Sequence, residues 1–154
     1  MLNTIEFEKN LNQLNKLAVK ISNKISLEDC IFLRGKIGVG KTTFARCLIN
    51  NLQKRNKINI SDVLSPTFNI VYDYDVKTHK IMHYDLYRLK SANEIKQLGI
   101  FEDSQKTVKI IEWPEMIKVK VKNKLEVNFS YTKKLDARNI KISGAGKWKN
   151  FKVN

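Results

Sequence analysis

Cysteine, proline and histidine are almost missing from this 154-residue chain, with two of each. Cys30 and Cys47 form no C-x-x-C and have no histidine cluster beside them, which excludes a disulfide framework and a thiolate zinc site. Both read as buried thiols of a reducing compartment. No apolar run approaches the length of a membrane span, and Met1 to Glu6 carries neither a basic n-region nor an apolar h-region, so a cytoplasmic protein is expected. Acids are scarce as well: 15 Asp and Glu against 29 Lys and Arg leave a net charge of +14. Such a surplus attracts phosphate backbones. It is nearly all lysine, however, in a chain also rich in Asn and Ile, whereas arginine is the preferred reader of phosphates and bases. A solvated lysine coat and a functional basic face both stay open. The length fits one domain over residues 1–154 with a core of its own.

What the chain does have is organised around Gly35-Lys36-Ile37-Gly38-Val39-Gly40-Lys41-Thr42-Thr43, whose first eight residues fit G-x-x-x-x-G-K-[ST]. Gly38 and Gly40 let the backbone turn with no Cβ in the way, so that consecutive N–H groups converge on phosphate oxygens. Lys41 would reach the β- and γ-phosphates, and the Thr42 hydroxyl would ligate Mg²⁺. Context supports the motif. The apolar run Cys30 to Leu33 predicts a buried parallel strand before it, and Phe44, Leu48 and Leu52 predict an amphipathic helix after it. Strand, glycine loop and helix is the order a phosphate site requires, and the helix N-terminus adds its dipole.

Along the chain, Asn3 to Phe7 is expected as a short strand. A helix from about Glu8 follows, with Leu11, Leu14, Leu17, Ala18 and Ile21 on one face. Ser65-Pro66-Thr67-Phe68 is a shaped loop, since Pro66 cannot sit in a central strand; Thr67 there is a candidate sensor of a γ-phosphate or of a Mg²⁺-bound water, against the plain alternative of a turn. Asn69 to Asp75 and Lys80 to Tyr87 read as a hairpin or two neighbouring strands, the second carrying Asp85 at its end. His83 lies two residues earlier on the same face, and a lone histidine reads more simply as structural than as catalytic. Ser91 and Glu94 form a capping box for a short helix that Gly99 ends. Thr107 to Ile111 is an apolar strand running into Glu112, a Walker-B-like acid able to hold Mg²⁺ directly or through water, with Pro114 stopping the strand. From Lys118 to Thr132 the alternation predicts one long half-exposed strand or two short ones, its lysine row protecting an edge. Arg138 to Ser143 predicts another strand with Ile140 and Ile142 inward, and residues 147–154 form a basic segment read as a loose tail or a partner contact.

Absences narrow the class further. There is no D-x-x-G, and Asn123-Lys124-Leu125-Glu126 falls inside the alternating segment, which argues against a guanine-specific switch; no L-S-G-G-Q-like segment supports a transporter ATPase. Asp85-Leu86-Tyr87-Arg88 keeps a small-molecule kinase open, though no Arg-rich lid accompanies it. A nucleotide-dependent module that holds RNA on its basic face also stays open. Gly144-Ala145-Gly146-Lys147 imitates a phosphate loop but lacks the hydroxyl residue.

The glycine loop, Ser65-Pro66-Thr67-Phe68, His83-Tyr84-Asp85-Leu86-Tyr87-Arg88-Leu89, Glu94 with Leu98-Gly99, and Glu112-Trp113-Pro114-Glu115 together resemble the TsaE family, the bacterial ATPases of tRNA threonylcarbamoyladenosine biosynthesis. The likeness runs from about residue 31 to 115. It implies an α/β, P-loop NTPase-like fold with a mainly parallel central sheet flanked by helices and antiparallel strands toward the C-terminus. It also implies Mg-ATP hydrolysis in support of a TsaD–TsaB complex that modifies an adenosine beside the anticodon, with tRNA met through that complex. By motif match Gly35, Lys36, Gly38, Val39, Gly40, Lys41, Thr42 and Thr43 cradle the nucleotide, and Thr42 with Glu112 holds Mg²⁺. Asp85 handles the attacking water, Thr67 senses the nucleotide, and Asn10 falls near the adenine. Lys36 stands where the family commonly has an acid and Val39 where it often has Ala, departures that leave the phosphate chemistry intact; a short link after Glu115 bears on partner docking.

Overall fold

The computed structural model describes residues 5–102 and 107–153, so Met1 to Thr4, which include the start of the expected first strand, lie outside the described residues. Strand β2 (Cys30–Arg34) is the axis of the fold. Cys30 to Leu33 are all at most 2% exposed, as a strand covered on both faces requires. Ile31 and Leu33 point to one face of the sheet, Cys30 and Phe32 to the other. On the first face pack α1 (Leu11–Ser22) and α2 (Lys41–Arg55), which bury Leu14, Leu17, Ala18 and Ile21, and Phe44, Leu48 and Leu52, respectively. The other face is covered more thinly, by α3 (Ala92–Gln97) and the segments around it, through Ile95 and Ile100.

The remaining strands are β1 (Ile5–Asn10), β3 (Val71–Val76), β4 (His79–Asp85), β5 (Thr107–Glu112), β6 (Lys124–Tyr131) and β7 (Ala137–Ala145). One sheet joins all seven in the order β1-β7-β6-β2-β5-β4-β3. The centre is parallel, β2 pairing with β5 and β6 and β5 with β4. Both margins are antiparallel: β1 and β7 on one side, and on the other the β3–β4 hairpin, closed by a two-residue loop between Val76 and His79. The fold is thus the expected α/β class, with antiparallel strands at both edges instead of only toward the C-terminus.

Three local expectations are corrected. The helix starts at Leu11, not near Glu8, because β1 stays paired with β7 up to Asn10↔Ala137. Asn10 then caps the helix, accepting from the Gln13 N–H at 3.0 Å while the Gln13 side chain accepts from the Asn10 N–H. The alternating segment becomes a strand only from Lys124. Pairing with β2 begins at Cys30↔Lys124, and residues 118–123, lying before the start of β2, have no strand beside them. Nor does β6 lie at an edge, since β2 and β7 flank it, so Lys124, its one lysine, guards none. Finally, the basic segment after β7 is packed down: Trp148 and Phe151 are buried edge-to-face with centroids 5.5 Å apart, and Lys147 pairs with the buried Asp29.

Cys30 is a free thiol under this packing, and burial pushes it up to about 12. A thiol that far above ambient pH presents almost no thiolate. Native protein at pH 8 is therefore expected to leave Cys30 unmodified by a thiol reagent until denaturant is added; rapid labelling at Cys30 without denaturant would contradict the burial. Cys47 is half-buried, with its Sγ 2.9 Å from Asn15 Oδ1, and reacts first.

Candidate phosphate and metal site

The carboxyl ends of β2, β4 and β5 open together, which is where open α/β sheets bind ligands. β2 delivers the glycine loop. At Gly35, φ is +138°, and a Cβ would stand 2.5 Å from the Phe129 carbonyl oxygen and 2.9 Å from Val39 Cγ1, so space and conformation both demand glycine. Gly35→Ala is expected to cost about 3 kcal/mol, a fall in Tm on the order of 10 °C. A melting curve unchanged by the substitution would show that the loop relaxes around the methyl.

Gly40 ends the loop in the left-handed region (φ +113°) and brings no side-chain cap to α2. The first N–H groups of that helix are therefore left without intrahelical partners at the loop. Lys41, nearly fully buried, donates to the carbonyls of Gly35 at 2.6 Å and Lys36 at 2.9 Å. Its Nζ stands 4.0 Å from the Trp113 ring centroid, and that ring packs on Tyr87 with centroids 4.8 Å apart. Burial lowers the Lys41 pKa, while the charges of Glu112, Asp85 and Glu115 pull it back up.

Two carboxylates face the loop from adjacent strands. Asp85 and Glu112 are register partners of β4 and β5, and both are buried. Glu112 Oε2 accepts from the Thr42 hydroxyl at 3.0 Å, and its Oε1 accepts from His83 Nε2 at 2.9 Å. Asp85 Oδ2 accepts from the Thr67 hydroxyl at 2.8 Å and Oδ1 from the Tyr87 N–H at 2.9 Å. The Pro66 loop is tied to the same strand end: the Pro66 carbonyl accepts from the Ile70 N–H, and the Ile70 carbonyl from the Asp85 N–H. These backbone bonds hold the loop where the Thr67 hydroxyl meets Asp85.

A cleft of about 240 Å³ lies between these groups, lined by Gly38, Gly40, Lys41, Thr42, Thr43, Thr67, Asp85 and Glu112 among others. Not every expected residue faces it. Gly35 makes the turn out of β2, and the Lys36 side chain is exposed; both border a neighbouring groove that meets the cleft at Ile37, Tyr87 and Trp113. Val39 is buried in the core. Asn10 is occupied in capping α1. Arg88, the possible acceptor-binding arginine, lies over the Phe68 ring at 5.2 Å.

The structure adds residues that the sequence did not single out. A second hollow, of about 180 Å³, sits on the other side of the loop between Leu11, Leu14 and Asn15 of α1, Leu135 and Asp136 of the β6–β7 turn and Arg138 at the start of β7, with Thr43 and Phe44 at its base. From β7 Arg138 Nε donates to the Val39 carbonyl at 3.0 Å, and from β6 the Tyr131 hydroxyl donates to the Ile37 carbonyl at 2.8 Å. They clamp the loop from outside. No local pattern marks them, since their role depends on β6 lying beside β2.

Among the described residues no group of three or more His, Cys, Asp or Glu could cage a metal. A hydroxyl and a carboxylate side by side, as Thr42 and Glu112 are, nevertheless suit Mg²⁺, which keeps several waters and takes one or two protein ligands together with phosphate oxygens.

Comparison with known proteins identifies the family. A family model described as threonylcarbamoyl adenosine biosynthesis protein TsaE matches residues 8–140. Similar proteins include the tRNA threonylcarbamoyladenosine biosynthesis proteins TsaE of Rickettsia felis (38% identical over 109 residues, 71% of this chain and 61% of that protein), Rickettsia typhi (35% over 117 residues, 76% of each) and Haemophilus influenzae (30% over 139 residues, 88% of this chain and 84% of that protein). The aligned region spans about three fifths of the length of the Rickettsia felis relative. The crystal structure of Bacillus subtilis YdiB superposes with a TM-score of 0.72 at 22% identity, covering 97% of this chain and 90% of that one, a likeness of fold.

Proposed function

Since the chain belongs to the TsaE family of tRNA threonylcarbamoyladenosine biosynthesis, we propose that it binds Mg-ATP at the glycine loop and hydrolyses it in that pathway. The observation that carries the reading is the pairing of Asp85 with Glu112 at one register, each carboxylate facing the loop and each already holding a threonine hydroxyl. The two acids have separate company, Thr42 for one and Thr67 for the other, which fits a division of labour.

On this reading the backbone N–H groups of residues 38–43 and Lys41 bind the phosphates. The amine of Lys41 trades its two carbonyl partners for phosphate oxygens. Thr42 and Glu112 would hold Mg²⁺, which supplies neutralisation of phosphate charge when bound. Asp85 accepts the proton of the attacking water, and Thr67 keeps that carboxylate aimed. The hollow between Leu11 and Leu135, which adjoins the loop on the α1 side, takes the nucleoside end. Positioning and charge neutralisation do most of the work in phosphoryl transfer, so an isolated chain hydrolyses slowly and partners complete it. TsaD and TsaB are those partners in this reading, with tRNA met through their complex. The cytoplasm is the place where tRNA is modified; among the described residues no helix is long and apolar enough to cross a membrane.

Calorimetry of ATP binding with and without Mg²⁺ tests the proposal. One ATP per chain, bound more tightly when Mg²⁺ is present, is expected. No heat of binding at millimolar ATP would overturn it.

A further inference from the structure

His83 stands where polarity alone favours an aliphatic residue. It lies between Ile81 and Asp85 on the α2-facing side of β4, opposite Ile110 of β5, and is fully buried. Its Nε2 is 2.9 Å from Glu112 Oε1, and because an ionised carboxylate only accepts, Nε2 is the nitrogen that carries the hydrogen. Nδ1 is buried with no hydrogen-bond partner. A ring that leaves one nitrogen desolvated and unmatched costs stability there, so its favourable contribution must come through Nε2 and Glu112.

Glu112 needs holding. It is the last residue of β5, and Trp113 directly after it turns into the left-handed region at φ +58°. With only Thr42 as partner, either carboxylate oxygen could swing to that hydroxyl. The bond from His83 removes that freedom: it occupies Oε1 and leaves Oε2 turned to Thr42.

We propose that His83 is a positioning residue for the metal-holding carboxylate, its Nε2–H locking Glu112 in the orientation that presents Oε2 beside the Thr42 hydroxyl. His83 touches neither phosphate nor metal and acts only through Glu112. The proposal rests on the reading of Thr42 and Glu112 as the Mg²⁺ pair. Groups that orient metal ligands in this way commonly change metal affinity 10- to 100-fold when removed.

The test is a Mg²⁺ titration of the binding of a fluorescent, non-hydrolysable ATP analogue to the full chain, repeated with Mn²⁺ read by electron paramagnetic resonance. His83→Gln, His83→Asn and His83→Leu are compared. Gln carries an amide N–H about as far as Nε2 reaches, whereas the Asn amide ends one bond short and Leu donates nothing. Asn and Leu are expected to raise the half-saturating metal concentration about 10- to 100-fold and Gln only about threefold. Affinity for the analogue in EDTA, set by the glycine loop, stays at the wild-type value in all three. Should His83→Leu fail to fold, the contrast between Gln and Asn still decides. Equal metal midpoints for Asn and wild type would overturn the proposal, as would EDTA affinity and thermal midpoint falling together, the mark of a merely structural ring. Wild-type binding indifferent to both metals would instead remove the Mg²⁺ pair itself, and the positioning role with it.

Discussion

Replacing Asp85 by Asn is expected to slow ATP hydrolysis by about 10²- to 10⁴-fold, the usual worth of a positioned general base, with ATP binding within a few-fold of wild type. Asn suits the site because it has the same shape. Its oxygen still accepts from the Tyr87 N–H, so the strand end keeps its geometry. What it lacks is a carboxylate able to take a proton, and the Thr67 hydroxyl loses its charged acceptor. Single-turnover phosphate release beside an equilibrium binding curve checks it. A variant that hydrolyses at the wild-type rate would mean that Asp85 only anchors the Pro66 loop. Asp85→Ala goes further, leaving the Tyr87 N–H unmatched and Thr67 with the Ser65 hydroxyl in place of a carboxylate, and is expected to lose hydrolysis while still binding ATP.

Lys41→Ala strikes the ground state instead. The amine makes two short hydrogen bonds to loop carbonyls, and moved onto phosphate oxygens each charged bond contributes about 1.5–3 kcal/mol. Even the lower figure, taken twice, is about 3 kcal/mol, or on the order of a hundredfold in Kd. Stability should barely change, because the lost carbonyl contacts are offset by no longer burying an amine whose charge the surroundings disfavour. Calorimetry with a melting curve separates the two. Unchanged ATP affinity would remove phosphate binding from the loop.

Much of this site is legible in the residues themselves, and the reason is that its parts are local. Cys30 to Leu33, the glycines and the Phe44-Leu48-Leu52 period lie within one strand-loop-helix unit, where short-range sterics and periodicity decide the structure. Asp85 and Glu112 announce themselves as acids ending apolar strands. Ser91 and Glu94 form the expected capping box, with the Ser91 hydroxyl accepting from the Glu94 N–H at 3.2 Å.

What the sequence hides depends on long-range pairing. The lysines from 118 to 124 look like an edge row because alternation says nothing about neighbours; only the parallel pairing of Lys124 with Cys30, far away in the chain, makes β6 an interior strand. The same pairing brings Tyr131 and Arg138 onto the glycine loop. Whether His83 meets a carboxylate is likewise a matter of register, since it needs β4 beside β5 with Asp85 opposite Glu112. Trp148 and Phe151 sit in a run of lysines whose charge masks two core side chains.

Phosphate release from Mg-ATP by the purified chain, alone and with TsaD and TsaB, tests the central claim most directly. The account predicts slow release by the chain alone and faster release with both partners, each inorganic phosphate matched by one ADP. Tight ATP binding with no phosphate under any condition, or the γ-phosphate recovered on an acceptor molecule, would contradict it.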